Sequence, residues 1–292
     1  MGLANLMKVP INISLDYMDY INYYTYFLET KSDPRTSKWF LIGSPGPVLT
    51  IIATYLYFCI YAGPRYMKDR KPFDLKNAII VYNFLQVIFS IFLVYEGLMG
   101  GWATGYSLKC QPVDYSDNPM AIRMAQAVWL YFLCKIIELL DTVFFVLRKK
   151  MNQVTFLHLY HHAMMPICSW IGVKFLPGGH GTLLGLINSF IHIIMYSYYF
   201  VSSMGPQYQK YLWWKKHLTA MQMVQFCIIF FHNLQVLFRQ CDYPKFIVML
   251  LGTQALFFLF LFGSFYHKTY IQKPKALEKT NNNVQNGKTK VN

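Results

Sequence analysis

Long apolar runs alternate with short polar segments along most of this chain. Each run has about 20 residues, the length that an α-helix needs to cross the hydrocarbon core of a bilayer. A membrane interior offers no water to the backbone, so such runs must form helices. We therefore predict an all-α membrane protein with seven transmembrane helices in one bundle. The predicted spans are residues 41–62, 77–98, 125–147, 154–173, 182–203, 217–238 and 246–267.

The composition agrees with this prediction, and the flanking segments bound the bundle. Hydrophobic residues make up 55% of the chain and charged residues 14%, against about 25% charged residues in soluble domains. Residues 1–37 are polar and Tyr-rich and lack the apolar core of a signal peptide. Residues 268–292 form a Lys- and Asn-rich tail that we expect to be disordered. The predicted domains are therefore 1–37, 38–267 and 268–292.

Basic residues concentrate on one side of the predicted bundle. Most of the 27 Lys and Arg residues lie in the tail and in three connecting segments, and such an excess marks the cytosolic side. We therefore expect a lumenal N-terminus and a cytosolic C-terminus. The net charge of +14 reflects this asymmetry, and it does not indicate nucleic-acid binding because no soluble basic module is present. The three segments are 63–76, 148–153 and 204–216.

Three local signals fit an endoplasmic reticulum protein with this orientation, although each can also arise by chance. Asn12 begins the single N-x-S/T glycosylation sequence. Cys110 and Cys241 lie in two predicted lumenal loops, where an oxidising compartment would let them form a disulfide. Lys288 and Lys290 give the chain an ending that resembles a dilysine retrieval signal.

Four of the predicted helices carry polar or ionisable side chains. Such groups are costly inside a membrane and indicate functional sites. Counted at 1.5 Å per residue from the cytosolic helix ends, His158 lies roughly 6 Å in, Tyr196 about 12 Å, and Lys135 and His192 about 18 Å. We therefore predict one pocket that opens to the cytosol and is apolar in its lumenal half, suited to a polar head with a long apolar tail. The residues are Lys135, Glu138, Asp141, Thr142, His158, His161, His162, Asn188, His192, Tyr196, Tyr198, Tyr199, Thr219, Gln222 and Gln225.

Several of these residues also have a structural interpretation. Lys135, Glu138 and Asp141 can form an ion-pair network, and His192 can bond a backbone carbonyl. Gln222 and Gln225 can join neighbouring helices by hydrogen bonds. Three histidines within five residues fit a structural role poorly, because each imidazole needs its own partner in a dry environment. The remaining histidines lie near helix ends or stand alone, and we assign them structural roles: His180, His217, His232 and His267.

The H-x-x-H-H cluster supports either metal binding or covalent chemistry. Imidazole binds zinc and iron, and membrane di-iron enzymes use boxes of this kind. Those enzymes have several boxes, whereas only three of the eight histidines cluster here. Three residues at i, i+3 and i+4 of one helix close poorly around one ion. Imidazole can also form an acyl intermediate or transfer protons, with Asp141 orienting a ring. We favour this second interpretation.

These residues match the motifs of a known family. The chain resembles the ELO-type very-long-chain fatty acid elongases over roughly residues 30–270, and the segment 205–219 looks most like the branch that acts on saturated and monounsaturated chains. The order and spacing of four motifs carry the resemblance. They are K-x-x-E-x-x-D-T from Lys135, H-x-x-H-H from His158, N-x-x-x-H-x-x-M-Y-x-Y-Y from Asn188 and T-x-x-Q-x-x-Q from Thr219.

The resemblance implies an activity and its partners. A long-chain acyl-CoA would condense with malonyl-CoA, releasing CO2 and CoA and giving a 3-oxoacyl-CoA two carbons longer. Six of seven transmembrane helices would surround a narrow acyl tunnel in the endoplasmic reticulum membrane. No metal and no nicotinamide is expected, and the partners would be membrane lipid and the other enzymes of the elongation cycle. The acyl length and the oligomeric state stay open, a homodimer being one alternative.

Within this resemblance we assign roles to the polar residues. His161 would attack the acyl thioester, while His192 and Asn188 would position malonyl-CoA and stabilise the developing enolate. His158, His162 and Asp141 would orient the pocket, and the basic cytosolic loops would attract the CoA phosphates. A di-iron lipid oxidase and a lipid transporter or receptor remain the rival functions. The residues expected to contact substrate are Lys135, Glu138, Tyr196, Tyr199, Thr219, Gln222 and Gln225.

Overall fold

The computed structural model describes residues 17–272, and all regular structure in this range is helical. This agrees with the predicted all-α class. Short 3₁₀ turns lie at Met151–Gln153 and Pro206–Tyr211, and π-helical turns follow α2, α4 and α10 at Phe58–Ala62, Leu98–Trp102 and His267–Ile271. The α-helices are α1 (Tyr17–Lys31), α2 (Gly46–Tyr57), α3 (Gly63–Met67), α4 (Lys76–Gly97), α5 (Pro119–Ile137), α6 (Leu140–Leu147), α7 (Phe156–Phe175), α8 (Thr182–Met204), α9 (Lys215–Leu237) and α10 (Lys245–Tyr266).

Among residues 17–272, five helices are long and apolar enough to cross a membrane. They are the continuous stretches Gly46–Met67, Lys76–Trp102, Thr182–Met204, Lys215–Leu237 and Lys245–Ile271. The protein is therefore a multi-pass membrane protein, and the count of seven spans is not reached by this measure. Two predicted spans fall short for different reasons. The third has a break between α5 and α6, and the fourth, α7, contains three histidines that lower its mean hydropathy.

The interruption between α5 and α6 contradicts the prediction of one helix over residues 125–147. At this point the amide of Leu139 bonds the carbonyl of Ile136, and the amide of Asp141 bonds that of Glu138. Both bonds span three residues rather than four. A tighter turn of this kind places side chains at i and i+3 above one another. The turn therefore places Asp141 above Glu138, whereas the Glu138 amide still bonds the Cys134 carbonyl four residues back.

The helices pack mainly in pairs. Helix α4 lies along α8, α9 lies along α10, and α5 lies along α7, with α2 packed on α7. The largest buried apolar cluster joins α2, α5 and α7 around Phe132, Trp170 and Val173. Full burial of one such side chain contributes about 1.5–3 kcal/mol. These contacts hold α7, which carries the histidine cluster, against the polar end of α5.

One end of the bundle is closed by the loop of residues 103–118. Cys110 of this loop forms a disulfide with Cys241, between α9 and α10, with a Cα–Cα separation of 5.7 Å. The Arg35 guanidinium forms an ion pair with the Asp33 carboxylate at 2.7 Å. It also donates a hydrogen bond of 2.9 Å to the backbone carbonyl of Asp114. The loop is thus attached both to the segment before α2 and to the segment before α10.

Gly179 turns the chain between α7 and α8 under this loop. Its φ is +70°, a left-handed conformation that glycine adopts without strain. A Cβ atom there would lie 2.9 Å from the carbonyl oxygen of Gln111. The next amide, that of His180, donates to the same carbonyl at 2.7 Å. A side chain at position 179 would therefore push the loop away from the start of α8.

Some predicted features lie at or beyond the limits of the described residues. Asn12, Lys288, Lys290 and most of the tail 268–292 fall outside residues 17–272. Helix α1 occupies part of the segment that was predicted only as polar and Tyr-rich.

We predict that loss of the Cys110–Cys241 disulfide destabilises the closed end of the bundle. The bond joins residues separated by 131 positions, and removing a native disulfide typically costs about 2–5 kcal/mol. Cys110→Ser and Cys241→Ser should each lower the thermal midpoint of the detergent-purified protein. The double variant should fall no further than either single variant, because all three lack the same bond.

Wild-type protein treated with reductant supplies the control for this series. Reductant should lower its midpoint to that of the double variant and leave the double variant unchanged. A wild-type midpoint that does not respond to reductant would contradict the prediction.

Candidate active site

Three ionisable side chains from two helical segments form a buried triad: Lys135, Glu138 and His192. The Lys135 ammonium lies 2.9 Å from each carboxylate oxygen of Glu138, and His192 Nδ1 lies 3.0 Å from Glu138 Oε1. The three residues are 1–5% exposed. Charges removed from water are stabilised only by close partners of opposite sign. The triad therefore fixes α8 against the turn between α5 and α6.

The triad also determines which nitrogen of His192 is free. Nδ1 lies 3.0 Å from Glu138 Oε1 but 3.4 Å from the Lys135 ammonium. Lysine only donates hydrogen bonds, and the carboxylate only accepts them. We assign the ring proton to Nδ1, which then donates to Glu138. The Nε2 atom is consequently left with an available lone pair.

Two further hydrogen-bonded groups surround the triad. The Tyr196 hydroxyl donates a hydrogen bond of 2.8 Å to Asp141 Oδ2. On the other side, Thr142 Oγ1 lies 2.9 Å from His158 Nε2 and 2.8 Å from the Tyr55 hydroxyl. Asp141 therefore holds a tyrosine, and it is Thr142 that holds a ring of the histidine cluster. The expectation that Asp141 orients a histidine does not match these contacts.

A cavity of about 1400 Å³, which includes space open to the exterior, runs between six helices: α4, α5, α7, α8, α9 and α10. Most of its wall is aliphatic, aromatic or methionine side chain. Polar side chains interrupt this wall at a few positions. The polar lining residues include Tyr131, His161, Ser169, Thr182, Asn188, Ser189, Gln225 and Gln254.

His161 differs from the other two histidines of the cluster. Its ring lines the cavity and packs edge-on against Phe258 at a centroid distance of 5.4 Å. Within residues 17–272 it makes no hydrogen bond to another side chain. His158 is hydrogen-bonded to Thr142. His162 is buried, and its ring centroid lies 4.2 Å from that of His158 and 5.3 Å from that of His161. His161 is therefore the imidazole of this cluster that faces the cavity.

Tyr131 connects the triad to the cavity. The Lys135 ammonium lies 4.7 Å from the centroid of the Tyr131 ring. The Tyr131 hydroxyl donates a hydrogen bond of 2.9 Å to Asn188 Oδ1. Because this bond occupies the amide oxygen, the NH2 group of Asn188 remains available as a donor at the cavity wall. The triad itself does not line the cavity. Asn188 thus lines the cavity, whereas Lys135 and Glu138 lie behind it.

The remaining predicted residues lie at different distances from this centre. Thr219 is buried near the start of α9, and Gln222 reaches the sulfur of Met195 at 3.7 Å. The Tyr199 ring packs against the Tyr196 ring at a centroid distance of 6.0 Å, and Tyr199 is 39% exposed. These three residues lie outside the cavity lining. Gln225 is the member of the T-x-x-Q-x-x-Q set that lines it.

Three residues of this site were not predicted from the sequence. Gln254 is a single amide within the very apolar helix α10, and Tyr131 and Tyr55 belong to none of the four motifs. The isolated amide in an apolar run was the available signal for Gln254. Nothing comparable marks Tyr131 or Tyr55, because tyrosine is frequent throughout this chain.

The described residues 17–272 contain no group of three or more His, Cys, Asp or Glu side chains arranged to hold a metal ion. Two of the histidines that were assigned structural roles, His180 and His232, contact each other. The rings of His180 and His232 stack at 3.7 Å, and His180 Nε2 bonds the carbonyl of His232. This pair lies near the closed end of the bundle.

The fold and site define a multi-pass membrane protein with a histidine cluster beside an apolar cavity. The chain belongs to the ELO family, described as the GNS1/SUR4 family, whose model matches residues 40–278. It is 52% identical over 254 residues to a very long chain fatty acid elongase of Aedes aegypti, a match that covers 87% of this chain and 71% of that protein. It is 48% identical over 268 residues to very long chain fatty acid elongase 7 of Drosophila melanogaster, and this match covers 90% of this chain and 81% of that protein. It is 46% identical over 252 residues to very long chain fatty acid elongase 1 of Homo sapiens, and this match covers 85% of this chain and 90% of that protein.

We predict that Glu138→Gln strongly destabilises the protein. The substitution leaves the Lys135 ammonium buried without an opposite charge, which costs about 3–5 kcal/mol. The double variant Lys135→Met/Glu138→Met should be more stable than Glu138→Gln, because it removes both charges. Thermal midpoints of the purified proteins in detergent measure both effects.

Glu96→Gln is the matched control for this experiment. Glu96 pairs with Arg123 at 2.7 Å but with side chains 16% and 29% exposed, and pairs with access to solvent contribute about 0–1 kcal/mol. Equal losses in Glu96→Gln and Glu138→Gln would show that burial of the triad is not what matters.

Proposed function

We propose that the protein is a very-long-chain 3-oxoacyl-CoA synthase, an acyltransferase that condenses a long-chain acyl-CoA with malonyl-CoA. The observation that carries this proposal is the placement of His161, an imidazole without a hydrogen-bond partner among residues 17–272, on the wall of an apolar cavity. The elongase names of the relatives support the reaction class.

The cavity supplies the binding site for the acyl chain in this proposal. From His161 it continues past Met164, Cys168 and Ile229 towards Tyr243. An alkyl chain placed there leaves water, which stabilises the complex by about 0.8 kcal/mol per CH2 group. The long apolar wall therefore favours long-chain substrates, and its polar end holds the thioester beside His161.

The first step is acyl transfer to His161. A nitrogen of the neutral ring attacks the thioester carbon, a C–N bond forms, and the C–S bond breaks. The imidazole proton goes to the departing sulfur, so that CoA leaves as the free thiol. The Asn188 amide donates to the carbonyl oxygen while negative charge develops on it. Tyr131 holds Asn188 in place through the amide oxygen.

The second step is condensation. Malonyl-CoA loses CO2, and the electron pair of the broken bond becomes a carbon nucleophile that attacks the acyl carbon. The C–N bond to His161 breaks, the ring takes up a proton from water, and the 3-oxoacyl-CoA is released. We assign the positioning of malonyl-CoA to His192 together with Asn188, since Glu138 orients the His192 ring.

The other polar residues act around these two steps. His158, His162 and Asp141 orient the pocket, and Lys135 and Glu138 hold α8 in register. Gln225 contacts substrate at the cavity wall. We assign Tyr196, Tyr199, Thr219 and Gln222 to the approach of the CoA thioester. The substrates are CoA thioesters and no metal or other cofactor is proposed, so metal analysis of active protein should find no stoichiometric ion.

We also propose the membrane arrangement that the sequence predicts. Seven helices of residues 38–267 would cross the endoplasmic reticulum membrane, with residues 1–37 lumenal and residues 268–292 cytosolic. The disulfide loop would then face the oxidising lumen. The cavity mouth near His161 would face the cytosol, where acyl-CoA and malonyl-CoA bind. Membrane lipid, the other elongation-cycle enzymes and a second copy of the chain are the partners to test.

We predict that His161→Ala abolishes condensation, lowering its rate by about 100-fold or more. Incubation of the wild-type protein with acyl-CoA alone should release one equivalent of CoA. Peptide mass spectrometry should then find the acyl group on His161, and His161→Ala should neither release CoA nor carry the acyl group.

Thr253→Val is the control for this assay, because Thr253 is exposed on α10 and bonds only carbonyls of its own helix. Normal condensation by His161→Ala, or an acyl group mapped to another histidine, would remove His161 from the assigned role.

We predict that Asn12 carries an N-linked glycan when the protein is made in cells. Asn12→Gln and Ser14→Ala should both abolish an endoglycosidase-sensitive shift on gels, since each destroys the N-x-S/T sequence. A glycan engineered after residue 272 should not be added. Modification of the C-terminal site would reverse the proposed orientation.

A further inference from the structure

Tyr55 connects helix α2 to the histidine cluster, although α2 does not line the cavity. The Tyr55 hydroxyl lies 2.8 Å from Thr142 Oγ1 on α6, and that oxygen lies 2.9 Å from His158 Nε2 on α7. A continuous chain of three polar groups therefore runs from α2 through α6 to the first histidine of the cluster.

This chain of polar groups is buried and makes no other side-chain contacts of its kind. Tyr55 is 6% exposed and Thr142 is 0% exposed. Among residues 17–272, neither hydroxyl has a hydrogen-bond partner outside the chain. Cys59, Leu139 and Val146 belong to the same buried apolar cluster as Tyr55, and this packing keeps the Tyr55 ring in place.

The number of hydrogens gives this chain a direction. Each hydroxyl carries one hydrogen, and leaving a buried hydroxyl hydrogen without an acceptor is costly. If the proton of the neutral His158 ring were on Nε2, either the Thr142 or the Tyr55 hydrogen would have no acceptor. If Tyr55 donates to Thr142 and Thr142 donates to His158 Nε2, both hydrogens are accepted. This second arrangement leaves the proton of His158 on Nδ1.

Nδ1 is the ring nitrogen of His158 that stays open. Among residues 17–272 it makes no hydrogen bond, and it is not one of the fully buried atoms that lack a partner. The two nitrogens of an imidazole point in diverging directions, so Nδ1–H is directed away from Thr142. His158 therefore offers the histidine cluster an N–H donor rather than a lone pair.

We propose that Tyr55 is a positioning residue for acyl transfer, which acts through Thr142 to hold His158 as its Nδ1–H tautomer. Without the Tyr55 hydroxyl, Thr142 loses the contact that directs its hydrogen to His158, since a helical threonine can donate instead to a carbonyl of the preceding turn. His158 would then divide between its two tautomers, and only one of them offers the donor. This inference rests on the proposed acyl transfer and extends the orienting role assigned to His158.

Nitrogen-15 NMR of protein labelled at its histidines tests the tautomer directly. The chain has eight histidines, and the signals of His158 are those that disappear in His158→Gln. The full-length wild-type protein in detergent should show His158 protonated on Nδ1, at least about fivefold over Nε2. A His158 ring protonated mainly on Nε2 would overturn the proposal.

Four variants test whether the two hydroxyls cause this preference. Tyr55→Phe and Thr142→Val each remove one hydroxyl and should raise the Nε2–H form of His158 to a comparable population. Thr142→Ser retains a hydroxyl and should retain the Nδ1–H form. Tyr57→Phe is the matched control, because Tyr57 lies on the same helix and is 60% exposed. A wild-type tautomer in folded Tyr55→Phe would show that Tyr55 has no positioning role.

Release of CoA from stearoyl-CoA without malonyl-CoA measures the effect on the reaction. Tyr55→Phe and Thr142→Val should lower the first-order rate constant about two- to tenfold, as for the loss of one hydrogen bond, and Thr142→Ser should restore most of it. The acyl-CoA concentration that gives the half-maximal rate should not change, because neither residue lines the cavity. A folding defect would instead lower the amount of CoA released per protein and leave the rate constant unchanged.

The outcomes separate this inference from the proposed function. Release of CoA by the wild-type protein with an Nε2–H His158, or with an unchanged rate constant in Tyr55→Phe, would overturn the positioning role and leave acyl transfer intact. No release of CoA by the wild-type protein would refute acyl transfer itself, and with it any role of Tyr55 in that step. If Tyr55→Phe fails to fold, the wild-type spectrum and the comparison of Thr142→Val with Thr142→Ser decide.

Discussion

The buried contact of Lys135 and Glu138 with His192 is the constraint on which the rest of the site depends. Removing each charge from water costs several kcal/mol, and only close partners offset that cost. The two 2.9 Å contacts and the 3.0 Å contact to His192 do so. They require the tight turn at Glu138, the docking of α8, and the Tyr131 ring beneath the ammonium. Because Tyr131 also holds Asn188, the triad positions a donor at a cavity that it does not itself touch.

Much of the fold could be predicted from hydropathy alone. The runs 77–98, 182–203, 217–238 and 246–267 agree with α4, α8, α9 and α10 to within two residues at each end. The break between α5 and α6 could not be predicted, since apolar residues continue on both sides of it. At this break the amides of Leu139 and Asp141 bond carbonyls three residues back, and hydropathy does not record such a change in hydrogen bonding.

The candidate site was predicted as a set of residues more reliably than as an arrangement. Polar groups in apolar runs are conspicuous, so the histidine cluster and the Lys135–Asp141 segment were found. Spacing along α7 could not distinguish His158 from His161, because both positions lie on one side of the helix. Their difference comes from partners on other helices, Thr142 for one and Phe258 for the other. Likewise, the pairing of His180 with His232 depends on how the loop end packs.

The tight turn between α5 and α6 has a consequence for how this protein can vary. A helix surface can absorb many changes of side chain, but the alignment of Lys135, Glu138 and Asp141 depends on the number of residues between them. Adding or deleting one residue here would rotate everything downstream by about 100° and carry Thr142 away from His158. The segment should therefore accept substitutions at its lipid-facing positions, such as Ile137 and Leu140, while its length stays fixed.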